Sequence, residues 1–536
     1  MPRAVDLVAA RLAAAGCRFA FGLPGGEVLA MLDALDRAGI AFRLARHETA
    51  AGFMAEGAWH ATGAPGVLLA TLGPGLANAV NAAANALQDQ VPLLILSGCV
   101  EAAEAERYTH QVIDQTALMR PVCKASFRLT DGAVDLIADK AVRLALGDPQ
   151  GPVHIDIPVG LATRDQPPPR RALLAPTAPA APAPGPQLEA ARAALARAER
   201  PVMLAGVGAV AHRAGPLARE VCARFGMPLL TTYKAKGLID EADPLCLGGH
   251  GLSPKSDAIV RHLLDRADLV LTLGYDPVEM RAGWIDPWSP ERCVALDHAP
   301  ARHGVHGASV SFVGDVAAGL RALSDGVAPA RPTWPCGAPA AARAALDAAF
   351  APPAEWGPHA AFAAARAALP PETVATVDSG AHRILFSQMW RCPAPRRLLQ
   401  SSGFCTMGAA LPLAIGHAAA APDVPVLAVM GDGGAEMVLG EFASLRDLGA
   451  PVIALVLADR SLALIALKQR ASGHPDRGVS FGGTDWPALA RAIGGEGTWV
   501  RSAAALTEAI GAARARRDRF TLLACEIDGA QYEGAF

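Results

Sequence analysis

Short apolar runs alternate with amphipathic stretches along almost the whole chain of 536 residues. The opening, MPRAVDLVAARLAAAGCRFAFG, reads as an amphipathic helix followed by a strand. Further runs rich in Val, Leu and Ile predict strands at Val67–Leu72, Leu93–Ser97 and Val153–Ile157. Later ones fall at Val202–Ala205, Leu269–Leu273 and Val294–Leu296, and then at Val374–Val377, Val426–Met430, Ile453–Leu457 and Thr521–Ile527. Helical periodicity fills the intervals. Strand, helix and strand in steady alternation is the pattern of a parallel α/β sheet, whose buried strands read as continuous apolar runs.

Two Pro/Ala-rich stretches interrupt this rhythm. The first, Gln166 to Gln187, reads as an extended linker. The second runs from about Gly326 to Pro358 and carries a short helix, Ala340 to Phe350. Three α/β blocks result, 1–165, 188–325 and 358–536, in line with roughly 150 residues per domain. The outer blocks share a faint repeat. Gly66 to Gly98 and Pro425 to Asp459 both give strand, Gly-rich turn, helix, Pro and strand. Any βαβ unit has this order, and two related domains flanking a third would have it too.

Composition narrows the function. The net charge of −3 argues against a nucleic-acid partner or a polybasic membrane role. No apolar run approaches the ~18 residues of a membrane helix, and the start lacks a secretory signal pattern. Ten Cys are scattered with no CxxC pair and no metal-ligand spacing. A cytoplasmic protein without membrane or nucleic-acid partners is expected.

The chemistry concentrates in VMGDGGAEM, Val429 to Met437. A strand ends in Gly431-Asp432-Gly433-Gly434 and a helix follows, which is the layout of a phosphate cradle. Its centre is an acid rather than a Lys. The next strand ends in Ala458-Asp459-Arg460-Ser461, so Asp432 and Asp459 converge at one edge of a parallel sheet. Two carboxylates beside a phosphate loop need a cation between them, and hard oxygen donors with a diphosphate suit Mg²⁺. Taken alone, Asp432 reads as well as a helix cap.

This GDG motif with a second ligand after the next strand resembles that of thiamine diphosphate (ThDP) enzymes. The resemblance is to the acetolactate synthase/2-oxo-acid decarboxylase family and spans nearly the whole chain. FGLPGG (Phe21 to Gly26), RHETAAGFMAEG (Arg46 to Gly57) and TLGPGLANAV (Thr71 to Val80) support it. So do HQVIDQTALMRPVCK (His110 to Lys124) and SSGFCTMGAALPLAIG (Ser401 to Gly416). It implies three doubly wound parallel-sheet domains, pyrimidine-binding, central and diphosphate-binding. One departure is plain: the family's motif usually ends in Asn-Asn, where this chain has Ala458-Asp459. Asp459 then replaces an amide ligand by a carboxylate, and the backbone carbonyl of Ser461 is the third implied ligand.

The resemblance assigns further residues. Glu48 matches the catalytic Glu that exchanges a proton with N1′ of the aminopyrimidine; as an isolated residue it reads as an exposed helix-start Glu. In the family this Glu comes from the neighbouring subunit, which implies a homodimer or homotetramer with active sites at the interface. Met407 matches the apolar wedge that bends the cofactor. The Cys405 carbonyl and Met407 amide would face the pyrimidine. Gly433 and Gly434 would offer N–H groups to phosphate, and His382 would contact it. Pro24, Gly25 and Asn78 would shape the pyrimidine side. His110 and Gln111 lie where the family places substrate-facing residues, or form a loop pair bonded to backbone. Lys468 stands near a position where acetolactate synthases carry Trp; it binds an anionic substrate group or is the solvated end of a helix.

The middle block opens PVMLAGVGAVA, a GxGxxA pattern with Gly206 and Gly208. FAD, which acetolactate synthases hold in this domain, is an alternative and not the favoured one. The implied activity is that of a ThDP- and Mg²⁺-dependent lyase or carboligase on a pyruvate-like 2-oxo acid, by ylide addition and loss of CO₂. Alternatives are a ThDP lyase on a 2-hydroxyacyl or a sulfonated or phosphonated substrate, a non-catalytic homologue, and a nicotinamide-dependent dehydrogenase resting on GVGAVA alone.

Overall fold

The computed structural model describes residues 1–107, 109–169, 178–280 and 282–536. The strands assemble into three six-stranded sheets, and every strand pairing is parallel. The first holds β1 (Phe19–Leu23), β2 (Ala41–Leu44), β3 (Gly66–Ala70), β4 (Leu93–Cys99), β5 (Ala125–Arg128) and β6 (Val153–Pro158). The second holds β7 (Pro201–Ala205), β8 (Leu229–Thr231), β9 (Cys246–Gly249), β10 (Leu269–Leu273), β11 (Cys293–Asp297) and β12 (Val310–Val313). The third holds β13 (Val374–Val377), β14 (Leu398–Leu399), β15 (Val426–Gly431), β16 (Ile453–Ala458), β17 (Glu496–Val500) and β18 (Thr521–Glu526). The α/β class with three parallel sheets is as expected, and each expected strand is present.

The outer sheets have one topology. Their orders, β2-β1-β3-β4-β6-β5 and β14-β13-β15-β16-β18-β17, are the same when each is numbered from its first strand. The central order, β12-β11-β10-β7-β8-β9, is instead the one of dinucleotide-binding folds. A generic βαβ pattern would not single out the outer pair, so the repeat reflects two related domains.

The segment after about Gly326 is packed rather than loose. Trp334 is buried and donates its indole N–H to the Pro201 carbonyl at 2.9 Å. The expected short helix runs Ala338–Ala349, and its Arg343 donates to the carbonyls of Glu241 and Cys246. The first Pro-rich stretch is anchored at its start by Gln166, which bonds the Gly132 amide and the Asp131 carboxylate. Part of that linker, 170–177, lies outside the described residues.

The outer domains meet through two helices, Glu48–Thr62 and Ala410–Ala420. They cross backbone to backbone. A Cβ on Gly57 would stand 2.2 Å from the Leu413 carbonyl oxygen, and one on Gly416 would stand 1.8 Å from that of Met54. Gly416→Ala is therefore expected to force the helices apart, with the roughly 1–3 kcal/mol cost of overpacking a core. A lower midpoint of thermal unfolding checks this.

Candidate active site

Adjacent strands β15 and β16 pair Gly431 with Leu457, so both chains leave the sheet at one edge. Asp432 follows β15 and starts a short helix, Asp432–Met437. Its carboxylate accepts from the Arg460 amide at 2.6 Å and from its neighbour Gly433 at 2.9 Å. Asp459 follows β16 and accepts from the Ser461 amide at 3.0 Å. Arg460, between them, has a left-handed φ of 56° that makes this tight turn. Burial raises the Asp432 carboxyl to about 6. Burial and then the charge of Asp432 raise Asp459 to about 7. The Asp432 charge thus opposes ionisation of Asp459, and a divalent cation beside them would favour the ionised form of both. Two carboxylates and a carbonyl are hard oxygen donors of the type Mg²⁺ takes. The residues fit the implied metal.

A cleft of about 260 Å³ opens beside this pair. Its lining includes His382, Cys405, Met407, Gly431 to Gly434, Asp459, Ser461 and Lys468. The structure thereby brings together the diphosphate-side residues named above. His382 is buried, and burial followed by the charge of Arg383 lowers its ring to about 4, leaving a neutral imidazole with Nε2 unpartnered. One detail differs from expectation: the Gly433 N–H is already given to Asp432, and Gly434 lies against Asp378, where a Cβ would come within 2.0 Å of its carboxylate. The Gly433 amide is therefore engaged by the Asp432 carboxylate and is not free for a phosphate.

The loop bearing Cys405 and Met407 is fixed from three sides. Asp378 accepts from the Gly408 and Ala409 amides at 2.8 and 3.0 Å. Asn81, Asn85 and Asp89, spaced four apart on and just beyond the helix Val80–Gln88, bond Thr406, Ser401 and the amides of Ser402 and Gly403. Lys234 from the central domain pairs with Asp89 at 2.7 Å. Cys405 has a φ of 53°, where glycine is the cheaper residue. Its side chain is used as well: the thiol donates to the Ser402 carbonyl, and Arg383 reaches the sulfur.

The pyrimidine-side residues form a second cluster. Glu48 is only 7% exposed, which removes the reading of a solvated helix-start residue. Asn78 donates to it at 3.0 Å. A Cβ on Gly75 would lie 3.2 Å from its carboxylate, and one on Gly25, next to Pro24, would meet the Thr71 hydroxyl at 2.3 Å. His110 and Gln111 are exposed, and Gln111 has a left-handed φ of 59°. Its carbonyl approaches Gly73, whose amide is held by buried Gln115 at 2.7 Å. Among the described residues, none of 1–165 lines the cleft at Asp432, so the two clusters do not share that cleft within one chain.

Comparison with known proteins decides the family. Residues 2–118 match the thiamine pyrophosphate enzyme N-terminal TPP binding domain, 188–323 the central domain and 378–525 the C-terminal TPP binding domain. The acetolactate synthase isozyme 1 large subunit of Escherichia coli (strain K12) is 30% identical over 471 residues, covering 85% of this chain and 81% of its own. The chain belongs to the thiamine diphosphate enzymes of the acetolactate synthase family.

Two other family members are similar. Acetolactate synthase of Bacillus subtilis (strain 168) is 28% identical over 522 residues, covering 93% of this chain and 89% of its own. The isozyme 2 large subunit of Escherichia coli (strain K12) is 29% identical, covering 85% and 82%. The dehydrogenase alternative falls with the match of all three domains to this family. In the central domain, chain packing requires Gly206 and Gly208: Cβ atoms there would lie 2.5 Å from the Gly274 carbonyl and 2.2 Å from the His298 ring. No helix among the described residues is long and apolar enough to cross a membrane. Missed by sequence reading were Arg383, Gln115, Ser379 and Tyr532; Gln115 stands within the quoted stretch His110 to Lys124, but no local pattern assigns a role to any of the four.

Proposed function

We propose that the protein is a ThDP- and Mg²⁺-dependent carboligase or lyase of the cytoplasm, acting on a pyruvate-like 2-oxo acid. The observation that carries this reading is the pair of buried Asp432 and half-buried Asp459 lining the cleft that holds His382 and Met407. The bound cofactor supplies an electron sink for the carbon that loses CO₂. The chain supplies the rest. Asp432, Asp459 and the Ser461 carbonyl would hold Mg²⁺, and His382 would present a neutral imidazole to the diphosphate. Met407, which lines the cleft, would pack against the cofactor. Glu48 holds and returns a proton at N1′.

Glu48 reaches that position from a second copy of the chain. Support comes from exposed apolar residues on both sides: Leu29, Leu44 and Ile113 in the N-terminal domain, and Phe404, Met437 and Ile465 near the cleft. A homodimer is the smallest complete enzyme, and a homotetramer adds nothing the site requires.

Lys468 favours a second reading of the substrate. It lines the cleft, is exposed, and makes no ion pair among the described residues. An ammonium there suits a substrate with an extra anionic group, such as a sulfonate or phosphonate. The test is a panel of plain and anionic 2-oxo acids with mass detection of products. Acetolactate from pyruvate supports the first reading. Turnover confined to a doubly anionic substrate, lost in Lys468→Ala, supports the second. No product and no C2 proton exchange in bound ThDP would leave a non-catalytic homologue.

A further inference from the structure

Three buried polar atoms in the cleft have no hydrogen-bond partner: Ser379 Oγ, His382 Nε2 and the Tyr532 hydroxyl. His382 already has a role. Tyr532 is the most enclosed of the three, at 2% exposure. It belongs to a short turn, Gly529–Tyr532, that follows β18 at the C-terminal edge of the sheet. The turn is built, not frayed. Asp528 accepts from the Ala530 amide at 2.9 Å, and Gln531 donates to the Trp356 carbonyl at 2.8 Å. It also closes on the metal-side carboxylate: a Cβ on Gly529 would lie 3.2 Å from Asp459.

A buried hydroxyl without a partner is costly, and the cost disappears when an acceptor enters. The phenol can act as a donor. Burial, Asp459 and Asp432 all raise its pKa well above the ordinary value, so it keeps its proton. Ser379 stands just before the N-terminus of the helix Ala381–Met389 and lines the same cleft. Two hydroxyl donors beside a metal pair call for a ligand rich in acceptors and already attracted to that metal. A diphosphate has these properties; a 2-oxo acid carboxylate, far smaller, does not need both.

We propose that Tyr532, together with Ser379, donates to the diphosphate of ThDP, so that the C-terminal turn is part of the cofactor site. This rests on the placement of Mg²⁺ at Asp432 and Asp459. Tyr532→Phe keeps the ring and removes only the donor. Calorimetry on the full chain, with Mg²⁺ present, measures binding of ThDP and of inorganic pyrophosphate. Both are expected to weaken by the same factor, roughly tenfold or more, as for a lost hydrogen bond to a charged group. Ser379→Ala is expected to act in the same direction on both probes, and thermal unfolding without ligand is expected to match the parent.

Parent-like binding of both probes by Tyr532→Phe would overturn the proposal. So would weaker ThDP binding with unchanged pyrophosphate binding, since that puts the phenol on another part of the cofactor. Asp432→Ala separates the two levels. If it loses both probes while Tyr532→Phe keeps them, only the Tyr532 role is wrong. If Asp432→Ala binds both like the parent, the metal placement itself fails.

Discussion

Asp432→Ala is expected to release ThDP. The carboxylate does two jobs. It is the more buried half of the carboxylate pair, and it pins the Arg460 and Gly433 amides that shape both strand exits. Without it, glycine amides alone face the diphosphate charge, and one of those amides loses its acceptor. Losing a direct metal ligand should cost more than the ~10–100-fold typical of an outer-shell partner. Equilibrium dialysis of ThDP across a Mg²⁺ series reads the effect. Asp432→Asn retains an oxygen for the Arg460 amide and isolates the charge. Asp459→Asn should be mild by contrast, because an amide oxygen is still a hard ligand and the repulsion on Asp432 is relieved. ThDP bound to Asp432→Ala with the parent's Mg²⁺ dependence would show that the metal sits elsewhere.

Glu48→Gln is expected to leave ThDP and Mg²⁺ bound and to slow proton exchange at C2 by about 10²–10⁴-fold, the usual loss for a general acid–base group. The reason is positional. Glu48 stands with Asn78 and Gly75, away from the carboxylates proposed to hold the other end of the cofactor. Gln has the same shape and keeps a bond to Asn78, so the helix start should survive. Deuterium exchange of bound ThDP, quenched in acid and read by NMR, gives the rate. Exchange at the parent's rate would remove Glu48 from the reaction.

Legibility in the sequence followed burial. The strands inside each sheet were readable as apolar runs, apart from the three-residue β8. The strands that gave no signal were otherwise the edges: β2 and β5, β9 and β12, β14 and β17. An edge strand has one neighbour and a wetter environment, so its sequence is free to be polar, short or glycine-containing. β12, with alternate residues exposed, and β9, which ends Gly248-Gly249, are examples. The site divides in the same way. Asp432 and Asp459 directly follow adjacent strong strands, so their convergence at one sheet edge was readable from the sequence. Glu48 was legible only through family resemblance, since nothing local distinguishes it from any helix-start Glu. Tyr532, Gln115 and Arg383 act through contacts between elements distant in sequence, and no local pattern encodes those.

The crossing at Gly57 and Gly416 limits how this chain can drift. Most tight contacts between domains are side chain against side chain, and a larger residue on one face can be accommodated by a smaller one opposite. Here each glycine faces a main-chain carbonyl of the other helix. The peptide unit cannot be made smaller, so no exchange at the facing position compensates for a lost glycine. The two sites should therefore behave as independently invariant under random mutagenesis, with second-site revertants absent from the opposing helix.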